Sequence, residues 1–275
     1  MPEKNYTEIK YPSSRQLTFD VGRIGLAKHH VKAFLEVDVT TAWAAQRQNR
    51  IAENRISFLT WLIKVSADCA AAHPPVAGVN LMKKNKVIAF NDVDISMVLE
   101  KEVGGKRVPL PYVIRKADKK SLAEIQQEID AAKAQSAQGE EDYVLGKKNS
   151  AFWMRLFIGL PQAVRLWAMR TFVLNNPKRV KEMMGSVMVT TVGLVGHTHG
   201  WIVPTSMHPL CLAFGSINEQ PVVRRGEIGV GHILHLTVLV DHDVIDGVPA
   251  ALFVDDLVRR LERGEGVVIN KASST

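Results

Sequence analysis

Cysteine is scarce: only Cys69 and Cys211 occur among 275 residues, far apart and in the apolar company of SADCAAA and HPLCLAF. This excludes a disulfide framework and a CxxC metal site, and leaves two buried structural thiols in a reducing cytoplasm as the expectation. Long apolar runs are missing too. No stretch approaches the ~20 residues of a membrane span, and the N-terminal MPEKNYTEIKYPSS lacks an apolar core for a signal peptide, so neither secretion nor membrane integration is expected. Without internal repeats, low-complexity tracts or a Pro/Ser/Gly-rich linker, residues 1–275 are expected to form one folded unit. Acidic residues are absent from one segment in particular. Between Lys147 and Lys181 stand eight Lys or Arg and no Asp or Glu, so the formal charge of +7 is local and the rest of the chain sits near −1.

The apolar residues that are present fall into periodic segments. VKAFLEVDV (31–39) alternates as a half-buried strand, and ISFLTWLIKVSADCAAA (56–72) has helical length and ends at His73-Pro74-Pro75, so strand then helix is the expected opening order. A hairpin over 78–90 and strands over 92–100 and 107–115 follow. Ser121 with Glu124 three residues on forms a capping box that starts a helix carrying Leu122, Ile125 and Ile129. Strands return over 186–193, 210–217 and 232–241, and a last helix runs from about Val248 to Arg263. The pattern is that of an α/β (α+β) two-layer sandwich, a mixed sheet covered by helices. Residues 137–183 interrupt it. Their Phe, Trp, Leu and Met, punctuated by Arg155, Arg165 and Arg170, read as a basic amphipathic helix pair broken near Pro161.

Chemistry concentrates in HILHLTVLVDHDVIDGVPAALFVDDLVRRL, from His232 to Leu261, where a strand runs into His242 and Asp246-Gly247 precede a helix. A strand-end histidine can project into a cleft and take a proton from a thiol or hydroxyl near neutral pH. Gly247 would allow a tight turn or a close backbone approach. Taken alone, H-x-x-x-D-G is short, and a structural histidine would serve it better.

Its context resembles a known family. DHDVIDG after an alternating strand and before an apolar helix is similar to the DHRxxDG signature of the catalytic domain of dihydrolipoyl acyltransferases, and to the HHxxxDG of the chloramphenicol acetyltransferase-like superfamily. ISFLTWLIKVSADCAAAHPPVAGVNL resembles the family's long helix and following strand; NDVDISMVLE and VPLPYVIRKADKKSLAEIQQEI resemble its next strands and capped helix. GSVMVTTVG stands where the family has GTFTISNLG, and MHPLCLAFGSI stands at its proline-containing strand. The likeness covers about residues 15–136 and 184–264, with 137–183 as an insertion.

The resemblance implies an acyl-CoA-dependent acyltransferase. His242 would be the general base that deprotonates the thiol of coenzyme A or dihydrolipoamide, and Thr190, in the place of the family's serine, the donor to the oxyanion. Asp246 would position the loop, paired with Arg15 as in chloramphenicol acetyltransferases or with Arg23 instead. By residue chemistry alone, Thr190 and Thr191 are simply β-favouring, and either arginine is simply solvent-exposed. Asp243 replaces the family's arginine and makes an acidic cluster around His242. With no lipoyl domain upstream, no lipoyl group is expected on this chain, which would then depend on a lipoyl-bearing protein or a small acceptor. The polar C-terminus favours a free homotrimer over a cage, with His242 of one chain facing Thr190 of its neighbour. A non-catalytic scaffold, or an enzyme acylating hydroxyls or amines, are the alternatives.

For the insertion three roles compete: a lid or acceptor-specificity element, packing against the trimer or a partner, and peripheral contact of 147–181 with an anionic membrane. Nucleic acid is not expected, since its aromatics lack a base-stacking pattern. His197, His199, His232 and His235 are read as turn or strand histidines, and no metal is expected.

Overall fold

The computed structural model describes residues 6–8, 15–51, 56–81, 85–103, 106–134, 156–191 and 199–267. The elements are α1 Arg15–Leu26, β1 His30–Asp38, α2 Thr40–Ile51, α3 Phe58–Ala72, β2 Val79–Leu81, β3 Lys86–Ile88, β4 Ile95–Val103, β5 Lys106–Ile114 and α4 Leu122–Ala134. After them come α5 Gln162–Ala168, α6 Pro177–Met184, β6 Val187–Thr191, β7 Leu210–Arg224, β8 Glu227–Asp241 and α7 Gly247–Arg263. Six strands form one mixed sheet in the order β1-β8-β7-β6-β4-β5, with β2-β3 a separate hairpin. Only the β4–β6 and β6–β7 pairs are parallel.

Register assigns the two faces of the sheet. Val189 pairs with Leu212, Leu212 with Val238 and Val238 with Ala33. Alternation along β6, β7 and β8 therefore sends Val187 and Val189, Leu210, Leu212 and Phe214, and Leu236, Val238 and Val240 to one side. There they form a single apolar cluster with Trp61, Leu62 and Val65 of α3 and Phe253, Leu257 and Leu261 of α7. Trp61, Phe214 and Phe253 are fully buried, and truncating an aromatic of this kind costs about 3–5 kcal/mol. The other face carries Thr190, Ala213, Thr237 and Phe34 in one row, and is covered at Asp241 by Lys28 and Pro209 and at Cys211 by Ser206. Gly25 of α1 lies so close to the 199–209 segment that a Cβ would stand 2.8 Å from the Ser206 carbonyl. A bulge between Phe214 and Ile217 shifts the β7–β8 register. At the bulge a Cβ on Gly215 would meet the Gly200 carbonyl at 2.4 Å, so only glycine fits.

The expected strands, the hairpin and the long helix are present, and the capping box forms with Ser121 Oγ accepting from the Glu124 N–H. The opening order differs. A helix, α1, precedes β1, and α2 lies between β1 and α3, both unannounced by periodicity. α1 contains Gly22 and Gly25 and owes its place to tertiary contacts, above all at buried Asp20. Strands β7 and β8 also run further than expected, as a 15-residue pair whose outer ends expose Val223, Ile228 and Val230.

The segment expected to be a basic helix pair continues α5 as a π-helical stretch over Met169–Leu174 and breaks at Asn175-Asn176-Pro177 as well as before α5 at Pro161. Residues 135–155, including Lys147, Lys148 and Arg155, lie outside the described residues. Arg165 is not a surface cation. It is buried, with Nε donating to Asp20 Oδ2 at 2.6 Å and Nη1 to Gln16 Oε1 at 2.9 Å and the Ile158 carbonyl at 3.1 Å. Lys181 is likewise taken up by Asp92, so part of the local basicity is spent on internal pairs. The exposed remainder mixes the cations Arg170, Lys178 and Arg179 with apolar Leu156, Val164, Trp167 and Phe172, the last two in edge-to-face contact at 5.8 Å.

Candidate active site

Strand β8 delivers the motif. It is buried from Leu234 to Asp241 and stops where the Asp241 carbonyl turns inward to accept from the N–H of Val244 at 2.9 Å and Ile245 at 3.3 Å. Val244 and Ile245 are buried and anchor the turn, while His242, between them and the strand, is exposed. The turn makes His242 the first residue free of the sheet. Among the described residues its imidazole has no hydrogen-bond partner, which leaves both ring nitrogens available to a ligand.

Three consecutive residues after α1 hold this turn. Lys28 Nζ donates to Asp241 Oδ2 at 2.7 Å, and Asp241 is fully buried. The His242 N–H donates to the His29 carbonyl at 3.0 Å, and the His29 imidazole meets Asp243 Oδ1 at 2.9 Å. His30 pairs with Asp241 in the sheet and its Nε2 bonds to the carbonyl of His208. His208 is itself buried, which pushes its pKa down to about 4, so it stays neutral while its Nε2–H donates to the Met184 carbonyl at 2.8 Å. Asn80 donates to the Asp243 carbonyl from the β2–β3 hairpin.

This overturns the acidic cluster expected around His242: Lys28 offsets Asp241, and His29 pairs with Asp243. The pairing raises the His29 pKa above its ordinary value, first through the hydrogen bond to Asp243 and then through its charge. A group whose pKa is raised on folding stabilises the fold fully below its ordinary pKa, and that contribution fades as pH climbs through the raised value. An NMR titration of His29 should therefore show a midpoint above 6.5 that falls back in Asp243→Asn. Lys28→Ala should be more costly, since it leaves a fully buried carboxylate without its cation. A loss of about 1–3 kcal/mol is expected in chemical denaturation.

Of the residues proposed from sequence, Asp246 is the N-cap of α7, but its side chain makes no cap bond; only its carbonyl does, accepting from Ala250 N at 3.1 Å. The expected pairing of Asp246 with Arg15 or Arg23 does not occur within the chain. Arg15 opens α1, Arg23 is exposed near its end, and neither makes an ion pair with Asp246 among the described residues. Gly247 is also corrected. A Cβ there would touch nothing within 4 Å, because the Asp241 carbonyl closes the turn before Gly247 begins the helix.

Thr190 is half-buried on the face of the sheet away from the helical core. It is level with Ala213 and Thr237, and His242 lies five residues beyond Thr237 along β8. That is about 16 Å along the strands and about 10 Å across two of them. One chain does not bring Thr190 and His242 together. Thr237, in the same row, is fully buried and its hydroxyl has no partner among the described residues.

Of the histidines outside the motif, His235 is buried, with Trp201 edge-on at 4.4 Å and Nδ1 3.2 Å from Ser216 Oγ, and His232 packs edge-on against Trp43. His197 lies outside the described residues. Sequence spacing gave no sign of a different grouping, Cys69, His73 and Asp256, whose ligand atoms lie within 4.8 Å of one another. Nor did it reveal Lys28 and His29, over 200 residues from the acids they hold. No described helix is long and apolar enough to cross a membrane.

The sequence matches the 2-oxoacid dehydrogenases acyltransferase (catalytic domain) family over residues 23–142 and 169–269. It is 26% identical over 239 residues to the dihydrolipoyllysine-residue acetyltransferase component of the pyruvate dehydrogenase complex of Bacillus subtilis, covering 84% of this chain and 44% of that protein. With its Staphylococcus epidermidis counterpart it shares 24% over 96% of this chain and 54% of the relative. The chain thus spans about half the length of the curated relatives it matches. Among solved structures, the cubic core of the pyruvate dehydrogenase multienzyme complex superposes with a TM-score of 0.66 at 21% identity, covering 98% of each chain. Azotobacter vinelandii dihydrolipoamide acetyltransferase gives 0.66 at 20%, covering 96% and 95%. With the match running through both the α3–α4 half and the β6–α7 half of the molecule, the chain belongs to the 2-oxoacid dehydrogenase acyltransferase family and carries its catalytic domain.

Proposed function

We propose that the chain transfers an acyl group between coenzyme A and the thiol of a dihydrolipoyl group, in a site shared by two subunits of a cytoplasmic homotrimer. The observation that carries this reading is the separation of Thr190 from His242 within one chain. In the Azotobacter vinelandii enzyme a serine, a histidine and an asparagine are named in the catalytic mechanism, spaced 52 and 4 residues apart. Thr190, His242 and Asp246 have the same spacing here. Cyclic association would let His242 of one chain meet Thr190 of the next. Exposed apolar groups suit such association: Val31 and Phe34 on edge strand β1, Trp201 against Phe34, and the outer β7–β8 ends.

His242 would take the proton of the attacking thiol, and sulfur would add to the thioester carbonyl carbon. The resulting oxyanion would accept a hydrogen bond from Thr190 Oγ1. Collapse would break the carbon–sulfur bond of the donor, and the imidazolium would return the proton to the departing thiolate. Asp246, exposed four residues after the base and without an ion-pair partner among the described residues, would be a positioning group that finds its partner on a neighbouring subunit. A lipoyl-bearing protein or free dihydrolipoamide would supply the acceptor thiol, and the insertion, fixed to α1 by Arg165, would border its approach. Acetyl- and succinyl-CoA with dihydrolipoamide test the reading: turnover is expected with at least one, and none with any acyl-CoA would refute it.

A further inference from the structure

Helices α3 and α7 meet at a cluster that acyl transfer does not use. Cys69 and His73 stand one turn apart at the C-terminal end of α3, and Asp256 faces them from α7. Asp256 Oδ2 is 3.1 Å from His73 Nε2 and 3.7 Å from Cys69 Sγ. Arg260 Nε donates to the same oxygen at 3.0 Å. Three donors thus converge on one carboxylate oxygen.

We infer that Cys69, His73 and Asp256 form a binding site for a zinc-like divalent cation. Tetrahedral zinc with Zn–S of about 2.3 Å and Zn–N and Zn–O of about 2.0 Å holds its ligand atoms about 3.3–3.6 Å apart. The 3.1 and 3.7 Å separations from Asp256 bracket that range, and all three ligand atoms lie within 4.8 Å of one another. A cation seated among the three would displace the thiol proton to solvent and leave His73 with its single proton on Nδ1. Thiolate, neutral imidazole and carboxylate then balance the double positive charge. Thiolate with imidazole also favours zinc over magnesium or calcium.

The surroundings fit. Cys69 is buried at the base, while His73 and Asp256 keep 27% and 32% of their side-chain surface, so an ion can enter and a water can take the fourth position. The His73 ring is steadied edge-on by Phe253 at 5.8 Å. Arg260 has a second partner in Glu265 Oε1 at 2.9 Å, so it can release Asp256 without becoming unpaired. The ion would tie the end of α3 to α7, the helix that begins immediately after the His242 turn.

Cobalt(II) titration of the full-length, metal-stripped protein tests the site. A thiolate-to-cobalt charge-transfer band and the intense visible bands of four-coordinate cobalt are expected, removed by Cys69→Ala and kept in Cys211→Ala. Asp256→Asn should weaken binding at least about tenfold, and Arg260→Met should tighten it by removing the competing cation. Zinc should displace cobalt and raise the melting temperature. If Cys69→Ala fails to fold, Asp256→Asn, at a half-exposed position, still reads the same band. Absence of the band in the wild-type protein, or its persistence in folded Cys69→Ala or undiminished in Asp256→Asn, would overturn the assignment.

Discussion

His242→Ala should lower acyl transfer between coenzyme A and dihydrolipoamide by about 10²–10⁴-fold, the range expected for losing a general base. Because His242 is exposed and its imidazole has no partner among the described residues, stability should change by less than about 0.5 kcal/mol. Thr190→Ala should cost about 10²–10³-fold, the usual consequence of removing an oxyanion donor. The two variants together test the shared site. Each trimer mixed from them has one place where an intact His242 faces an intact Thr190, so random exchange at equal amounts should restore about a quarter of wild-type activity. No recovery after verified subunit exchange would refute the shared site and remove the reason for a trimer.

The second large effect lies far from the chemistry. Arg165→Leu removes the cation that neutralises Asp20, which is 1% exposed and would keep only Gln162 as a partner among the described residues. Breaking a buried pair from one side costs about 3–5 kcal/mol, and at about 2–4 °C per kcal/mol for a chain of this size the melting temperature should fall by about 10 °C. Replacing both partners, Asp20→Leu with Arg165→Leu, should be milder, because no bare charge is left in the interior. Calorimetry of the single and double variants checks both statements. Equal losses in the two would show that packing, rather than the stranded carboxylate, sets the cost.

What could be read from the sequence was local. Alternation announced β8, the Ser121–Glu124 box announced α4, and the strand–His242–Asp246–helix order announced the motif, since each depends on residues within a few positions of one another. What escaped depends on distance in sequence. α1 is stabilised through Asp20 by an arginine 145 positions away, and Lys28 meets Asp241 across 213. Asp246 and Arg15 do not meet within one chain for a related reason: α1 approaches the motif just past its C-terminal end, at Lys28 and His29, whereas Arg15 begins the helix. Cys69 and His73 are visibly one helical turn apart, but nothing in their neighbourhood names Asp256 as the third member.

Helix α1 carries two fastenings at different points along its length. Near its middle Asp20 is locked to Arg165, and just past its end Lys28 and His29 grip the residues on both sides of His242. Twelve helical residues rise about 18 Å and bend little, so the element behaves as a lever with both arms engaged. A displacement of the α5 segment would therefore reach the two acids that flank the imidazole through α1, without touching the acyl group or the thiol.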